Sequence, residues 1–168
     1  IPTPVFMPVG TQGTVKSIFP RDLKNSINAQ VILGNTYHLR LRPGHKLVEE
    51  HGGLGAFMGW DGPILTDSGG FQIFSLAKLR EVTELGVKFR SHLDGSELFL
   101  GPQEAVEIQN SLRSDIAMCL DECPPADASE PEVRDAVART SRWGRLCQEA
   151  WFDTSAPNEG RLLFGIVQ

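Results

Sequence analysis

The stretch Thr66-Asp67-Ser68-Gly69-Gly70-Phe71-Gln72 gathers the side chains in this sequence best suited to chemistry on a small planar molecule. It follows a short apolar run, Pro63-Ile64-Leu65, that stops abruptly at a carboxylate, a hydroxyl and two glycines. Such a run bounded by turn residues reads as a buried strand, and the motif leaves from its carboxyl end. Gly69 and Gly70 lack a Cβ, so they allow positive φ and let a ligand lie against backbone amides. Asp67 supplies an acceptor or base, Ser68 a hydroxyl, Phe71 a flat apolar face, and Gln72 an amide that both donates and accepts. Together they can grip a planar, hydrogen-bonding ring beside a carboxylate. The competing reading of residues 67–70 is a plain surface turn.

Asp121-Glu122-Cys123 repeats the arrangement, because it too follows an apolar run, residues 115–120. Asp67 and Asp121 would then face one crevice, where two carboxylates can divide acid and base roles if their surroundings separate their pKa values. The alternative is that one of them caps a helix. Cys123 reads as a packing or ligand-contact thiol rather than a nucleophile, since no His partner is fixed beside it. His38 reads as a structural hydrogen-bond partner, and Trp60, Trp143 and Trp151 as core. The three cysteines, Cys119, Cys123 and Cys147, fit reduced thiols better than a disulfide framework. No further Cys or His cluster completes a tetrahedral set, so no metal is expected within these residues.

These groups need elements to carry them. Strands are expected over residues 4–9, 30–34, 63–66, 115–120 and 162–167. Helices are expected over 19–28 (Pro20 at the start), 43–51, 102–113 (Ala105, Ile108 and Leu112 on one face) and from the capping box Ser129-Glu130-Pro131-Glu132 onward. The last helix has an apolar stripe through Val133, Val137, Thr140, Gly144, Cys147 and Trp151. Residues 54–60 read as a loop and 71–85 as a broken helix. The alternation in 87–92, the Asp94-Gly95 turn and residues 97–100 read as a hairpin inserted on the scaffold. Five strands alternating with helices imply an α/β fold of parallel strands and right-handed crossovers. Polar residues gather at each strand's carboxyl end, the catalytic edge of α/β enzymes and of (β/α)8 barrels.

The bulk properties set limits. With 168 residues, 40% hydrophobic and 22% charged, the chain suits one soluble globular domain. There is no apolar stretch of the ~18 residues that a membrane span needs and no basic-then-apolar leader, so a cytoplasmic location without membrane contact is expected. A net charge of −5 is the wrong sign for a generic nucleic-acid binder, so any contact with RNA must rest on local basic patches or on residues outside the chain.

Several motifs taken in order resemble one family. They are Thr3-Pro4-Val5-Phe6-Met7-Pro8-Val9-Gly10-Thr11, Leu33-Gly34-Asn35-Thr36-Tyr37-His38-Leu39, Leu41-Arg42-Pro43-Gly44, the 66–72 stretch, Phe89-Arg90-Ser91-His92, Asp121-Glu122-Cys123 and Phe164-Gly165-Ile166-Val167-Gln168. The conjunction resembles the bacterial tRNA-guanine transglycosylases, or queuine tRNA-ribosyltransferases, across essentially the whole chain. The resemblance implies a (β/α)8 TIM barrel, of which residues 1–168 would be one incomplete catalytic fragment, about the first five βα units with the hairpin insertion. It implies exchange of the wobble guanine in a tRNA anticodon for preQ1, a 7-deazaguanine base, through a covalent ribosyl-enzyme.

By that resemblance Asp67 is the general acid/base, and Ser68, Gly69, Gly70 and Phe71 line the base pocket. Asp121 reads the base's N–H edge, Gln168 its carbonyl side, Cys123 borders the pocket and Asn35 contacts the ribose side. Members of the family are much longer than this chain. Their nucleophilic aspartate, their Cys3His zinc site (hence Zn2+ in the full-length protein) and much of their tRNA surface lie in the second half, and a homodimer is expected at full length. Gly55-Ala56 and Gly101-Pro102-Gln103 depart from the usual His-Lys and Thr-Pro-Glu. Two other readings stay open: a non-catalytic accessory subunit or paralogue of a transglycosylase, and a glycoside hydrolase using the Asp pair. An archaeosine-type specificity is a lesser variant.

Overall fold

A computed structural model describes residues 1–76, 79–153 and 160–167. Its frame is a five-stranded parallel sheet formed by β1 (Val9–Gly10), β2 (Ile32–Gly34), β3 (Ile64–Thr66), β7 (Ile116–Met118) and β8 (Leu162–Phe164), in that spatial order. Helices α1 (Pro20–Asn25), α2 (Thr36–Leu41), α3 (His45–Glu50), α4 (Leu54–Met58), α5 (Gly70–Leu76), α6 (Pro102–Ser111) and α7 (Glu130–Asp153) lie between strands. The chain is thus α/β with a parallel sheet, as expected. Between α5 and α6 an antiparallel three-stranded sheet is inserted: β4 (Arg80–Val82), β5 (Val87–Arg90) and β6 (Glu97–Leu100). Among the described residues no helix is long and apolar enough to cross a membrane.

The two faces of the parallel sheet differ. Ile32, Ile64, Thr66 and Ala117 point to the helices and are buried. On the other face Val9, Leu33, Leu65, Ile116 and Leu162 pair in register across all five strands. This apolar row is only partly covered, and Val9 and Leu162 at its ends are each 49% exposed.

Several elements are not as the sequence suggests. The strand expected over residues 4–9 is confined to Val9–Gly10, because Pro4 and Pro8 have no N–H for the ladder; Pro8 contributes only its carbonyl, 3.0 Å from Leu33 N. The segment after β2 is a helix, α2, and the expected loop at 54–60 contains α4. The broken helix of 71–85 resolves into α5 and then β4, which pairs with β5 and turns the expected hairpin into a three-stranded sheet. Residues 77–78 lie outside the described residues.

The capping box of α7 is present in altered form. Ser129 N–H and its hydroxyl both donate to Glu132, at 2.8 and 2.7 Å, so the hydroxyl does not serve a free helix amide. The buried stripe is also turned by about one residue toward the bulkier side chains. It runs Ala136, Trp143, Cys147 and Trp151, while Val133 and Val137 face solvent. Each large side chain buried this way stabilises the fold by about 1.5–3 kcal/mol.

Beneath the site lies a buried amide that sequence periodicity does not single out. Gln109 on α6 accepts from Thr66 Oγ1 at 2.9 Å and from Met118 N at 2.8 Å, and donates to Met118 O at 2.9 Å. It therefore ties β3 to β7 just before each strand releases its aspartate. A fully satisfied buried amide specifies register in a way that an apolar side chain cannot.

Candidate active site

The loop after β3 carries Asp67, and its carboxyl group is held by neutral donors. Asn35 Nδ2 and Gln72 Nε2 donate to Oδ2 at 2.5 and 3.0 Å, and Thr36 N donates to Oδ1 at 2.8 Å. The Thr36 hydroxyl donates to the Asp67 carbonyl at 2.5 Å, which fixes the backbone as well. Asn35 stands at the N-cap position of α2, yet its side chain makes no cap bond and is spent on Asp67. Asp67 itself takes the first amide of α2. The helix-capping role weighed from the sequence is therefore present, and Asp67 fills it.

Burial raises the pKa of Asp67 above the ordinary carboxylate value. The donors from Asn35, Thr36 N, Gln72 and Gly69 N oppose the shift without cancelling it. Such a group takes up a proton more readily than an exposed aspartate, which suits an acid/base role.

Asp121 leaves the end of β7 and is 5% exposed. Ser68 Oγ donates to its Oδ1 at 2.9 Å while accepting from Gly70 N at 3.1 Å. The residue next to Asp67 thus touches the second carboxylate directly, and the two loops form one unit. Gly70 opens α5, and a Cβ there would stand 2.7 Å from Asp121 O and 3.0 Å from Asp121 Oδ1, so only glycine fits without a backbone shift. Gly69 adopts φ +82°, a conformation that side chains rarely tolerate. Phe71, in the first turn of α5, is 61% exposed.

Cys123 is half-buried, and burial, followed by the nearby Asp121 carboxylate, raises its thiol pKa. That is the opposite of what a nucleophilic cysteine needs. Gln168 lies outside the described residues. Among the described residues no group of three or more His, Cys, Asp or Glu side chains is placed to hold a metal ion.

Structure adds partners that the motifs do not show. Thr36 and Gln72 hold Asp67 in place, and the Gln72 carbonyl oxygen is buried with no hydrogen-bond partner among the described residues. Tyr37 is buried and its hydroxyl bonds His92 Nδ1 at 2.8 Å, with the two rings stacked at 5.5 Å. His38 packs edge-on to both rings, and burial lowers its pKa, so its place is structural. The only signal for these contacts in sequence is the proximity of Tyr37-His38 to a strand end.

The sequence model of the family described as queuine tRNA-ribosyltransferase matches residues 1–168. The chain belongs to this family. Relatives named queuine tRNA-ribosyltransferase are 56% identical in Natranaerobius thermophilus and 58% in Solidesulfovibrio magneticus, each over 168 residues covering the whole chain. Another from Macrococcus caseolyticus is 57% identical over 166 residues, 99% of the chain. The chain spans about 44% of the length of the first two and 42% of the third.

Proposed function

We propose that this chain supplies the base-recognition and proton-transfer half of a tRNA-guanine transglycosylase site, in a pentosyltransferase that exchanges guanine in a tRNA anticodon for preQ1. The observation that carries this reading is the Ser68–Asp121 hydrogen bond, which joins the Asp67 and Asp121 loops around the glycine pair. Asp121 accepts from the N–H edge of the base, and Gly69 and Gly70, lacking a Cβ, let the base lie close to the backbone. Phe71 stacks on the ring and Cys123 borders it. Gln168 reads the carbonyl side, and Asn35 faces the ribose. A carboxylate that accepts from ring and amino N–H groups selects guanine-like bases over adenine, whose matching edge lacks that donor pair.

Asp67, more easily protonated than an ordinary aspartate, gives a proton to the departing guanine and takes one from the incoming base. The ribose is meanwhile held as a covalent ribosyl-enzyme on an aspartate that the resemblance puts in the second half of the family's sequence. The target nucleotide must be flipped from its loop to reach this depth. The half-exposed apolar row Val9, Leu33, Leu65, Ile116 and Leu162 supports a barrel whose interior is completed by further strands, with these five βα units as its first part. A cytoplasmic homodimer at full length, with Zn2+ bound outside these residues, fits the same reading.

The test is incorporation of labelled guanine into tRNA. The full-length gene product is expected to incorporate label, and the 168-residue chain by itself is not, because the resemblance puts the ribose nucleophile in the second half of the family's sequence. Failure of the full-length protein to exchange guanine, or turnover by the isolated chain, overturns the proposal.

A further inference from the structure

The inserted sheet grips the site from two sides. In its β4–β5 turn, Glu84 accepts from Arg139 Nε at 3.3 Å and from Arg142 Nε at 2.8 Å, and its carbonyl accepts from the Trp143 indole at 2.8 Å. All three donors are on α7. Arg139 also pairs through Nη1 with Glu122, the residue between Asp121 and Cys123. The Glu122 N–H donates in turn to Thr140 Oγ1 on α7 at 3.0 Å.

The side chains of Arg139 and Glu122 are only 19% and 15% exposed, so solvent screens this pair poorly. The cross-strand pairs on the same sheet, Lys88–Glu81 and Arg90–Glu97, lie in open solvent and contribute little. At the sheet's other end His92 bonds Tyr37, next to the Thr36 that donates to Asp67. One insertion is thus fastened to the surroundings of both aspartates.

We propose that Arg139 is a positioning residue for base recognition. By neutralising Glu122 and tying it to Glu84, it holds residues 121–123 so that Asp121 stays on Ser68 and open to the base. Asp121 binds the base while Asp67 moves protons, so loosening the loop weakens binding of guanine more than turnover. The proposal rests on the functional reading above.

The test uses the full-length gene product with Arg139→Met, Arg139→Lys, Glu84→Gln and the double variant Arg139→Met/Glu122→Gln. Arg139→Met is expected to raise KM for guanine about tenfold with kcat changed less than about twofold, a coupling typical of residues in one network. Arg139→Lys keeps the charge without the fork and is intermediate. The double variant leaves no unpaired charge but also no tie to Glu84, so it recovers only part of the loss. Glu84→Gln, the mildest change, raises KM by about twofold to threefold and stands in if Arg139→Met does not fold.

Amide hydrogen exchange at Glu122 is read on the same proteins and is expected to quicken in Arg139→Met. An unaltered KM and unaltered Glu122 exchange, even with a lowered Tm, overturn the proposal. If the wild-type protein exchanges no guanine, the functional reading has failed by itself, and the amide exchange still decides whether Arg139 holds the loop.

Discussion

The segments after β3 and β7 each carry an aspartate, yet they treat it differently. Asp67 is enclosed by neutral amide donors from α2 and α5, and burial outweighs them, so its proton is held more tightly than usual. Asp121 accepts from the Ser68 hydroxyl and sits beside a loop whose next residue is pinned to α7 by an arginine. Identical side chains thereby stand in different surroundings, and the function proposed above gives proton transfer to Asp67 and recognition to Asp121. The teaching is that environment assigns the role, and each environment is built from residues distant in sequence.

The sharpest break in this comparison comes from the two isosteric changes. In the full-length protein Asp67→Asn is expected to lower kcat for guanine exchange by about 10²–10⁴, the usual worth of a general acid/base. Asp121→Asn is expected to act mainly on KM for guanine, by about 10–100-fold, since a buried acceptor is replaced by a group that also donates. Steady-state kinetics on the pair checks both, and equal losses in kcat and in KM for the two variants would erase the distinction.

A smaller effect is expected from Gly70→Ala. The added methyl meets the Asp121 carbonyl at 2.7 Å, so the loops must part, at about 1–3 kcal/mol for overpacking. Guanine affinity falls and Tm drops together, measurable by calorimetry and thermal unfolding. An unchanged protein would show that the two loops are not in contact as described.

The mildest test is the pH dependence of stability. The folded pKa of Asp67 lies above its unfolded value, so between the two the native state binds the extra proton. Its contribution is therefore full at pH below the ordinary carboxylate value and is lost as pH rises through the raised one. Asp67→Asn removes that loss, so the variant's stability relative to the wild type is expected to increase across this window. Denaturant unfolding at a series of pH values measures the difference, and a difference that falls with pH would contradict the assignment of Asp67 as the buried, proton-retaining carboxyl.

Much of this arrangement is legible in residue order. The 66–72 stretch announces itself by composition, and the alternation of apolar runs with amphipathic ones implies the parallel sheet that brings Asp67 and Asp121 to one edge. What stays hidden depends on tertiary partners. Thr36, Tyr37 and His38 are indifferent helix formers, and α2 forms because its first amide is taken by Asp67 and its Tyr37 and Leu39 are buried. The Arg80-Glu81-Val82 strand is polar and short, and only its pairing with β5 makes it a strand. Gln109 reads as a polar interruption of α6, and only the fold reveals that it joins β3 to β7. In α7, Trp143 is buried as its residue type suggested, but the apolar stripe read from periodicity runs through Gly144 beside it, and its indole bond to the Glu84 carbonyl is a tertiary contact.

The most direct measurement of the central claim is a crystal structure of the full-length gene product with guanine bound. The account predicts one base with its N–H edge on the Asp121 carboxylate, its plane beside Phe71 and Gly69-Gly70, and the Asp67 carboxyl next to the nitrogen that leaves the ribose. A base bound elsewhere, or Asp67 and Asp121 too far apart to reach one heterocycle, would contradict it.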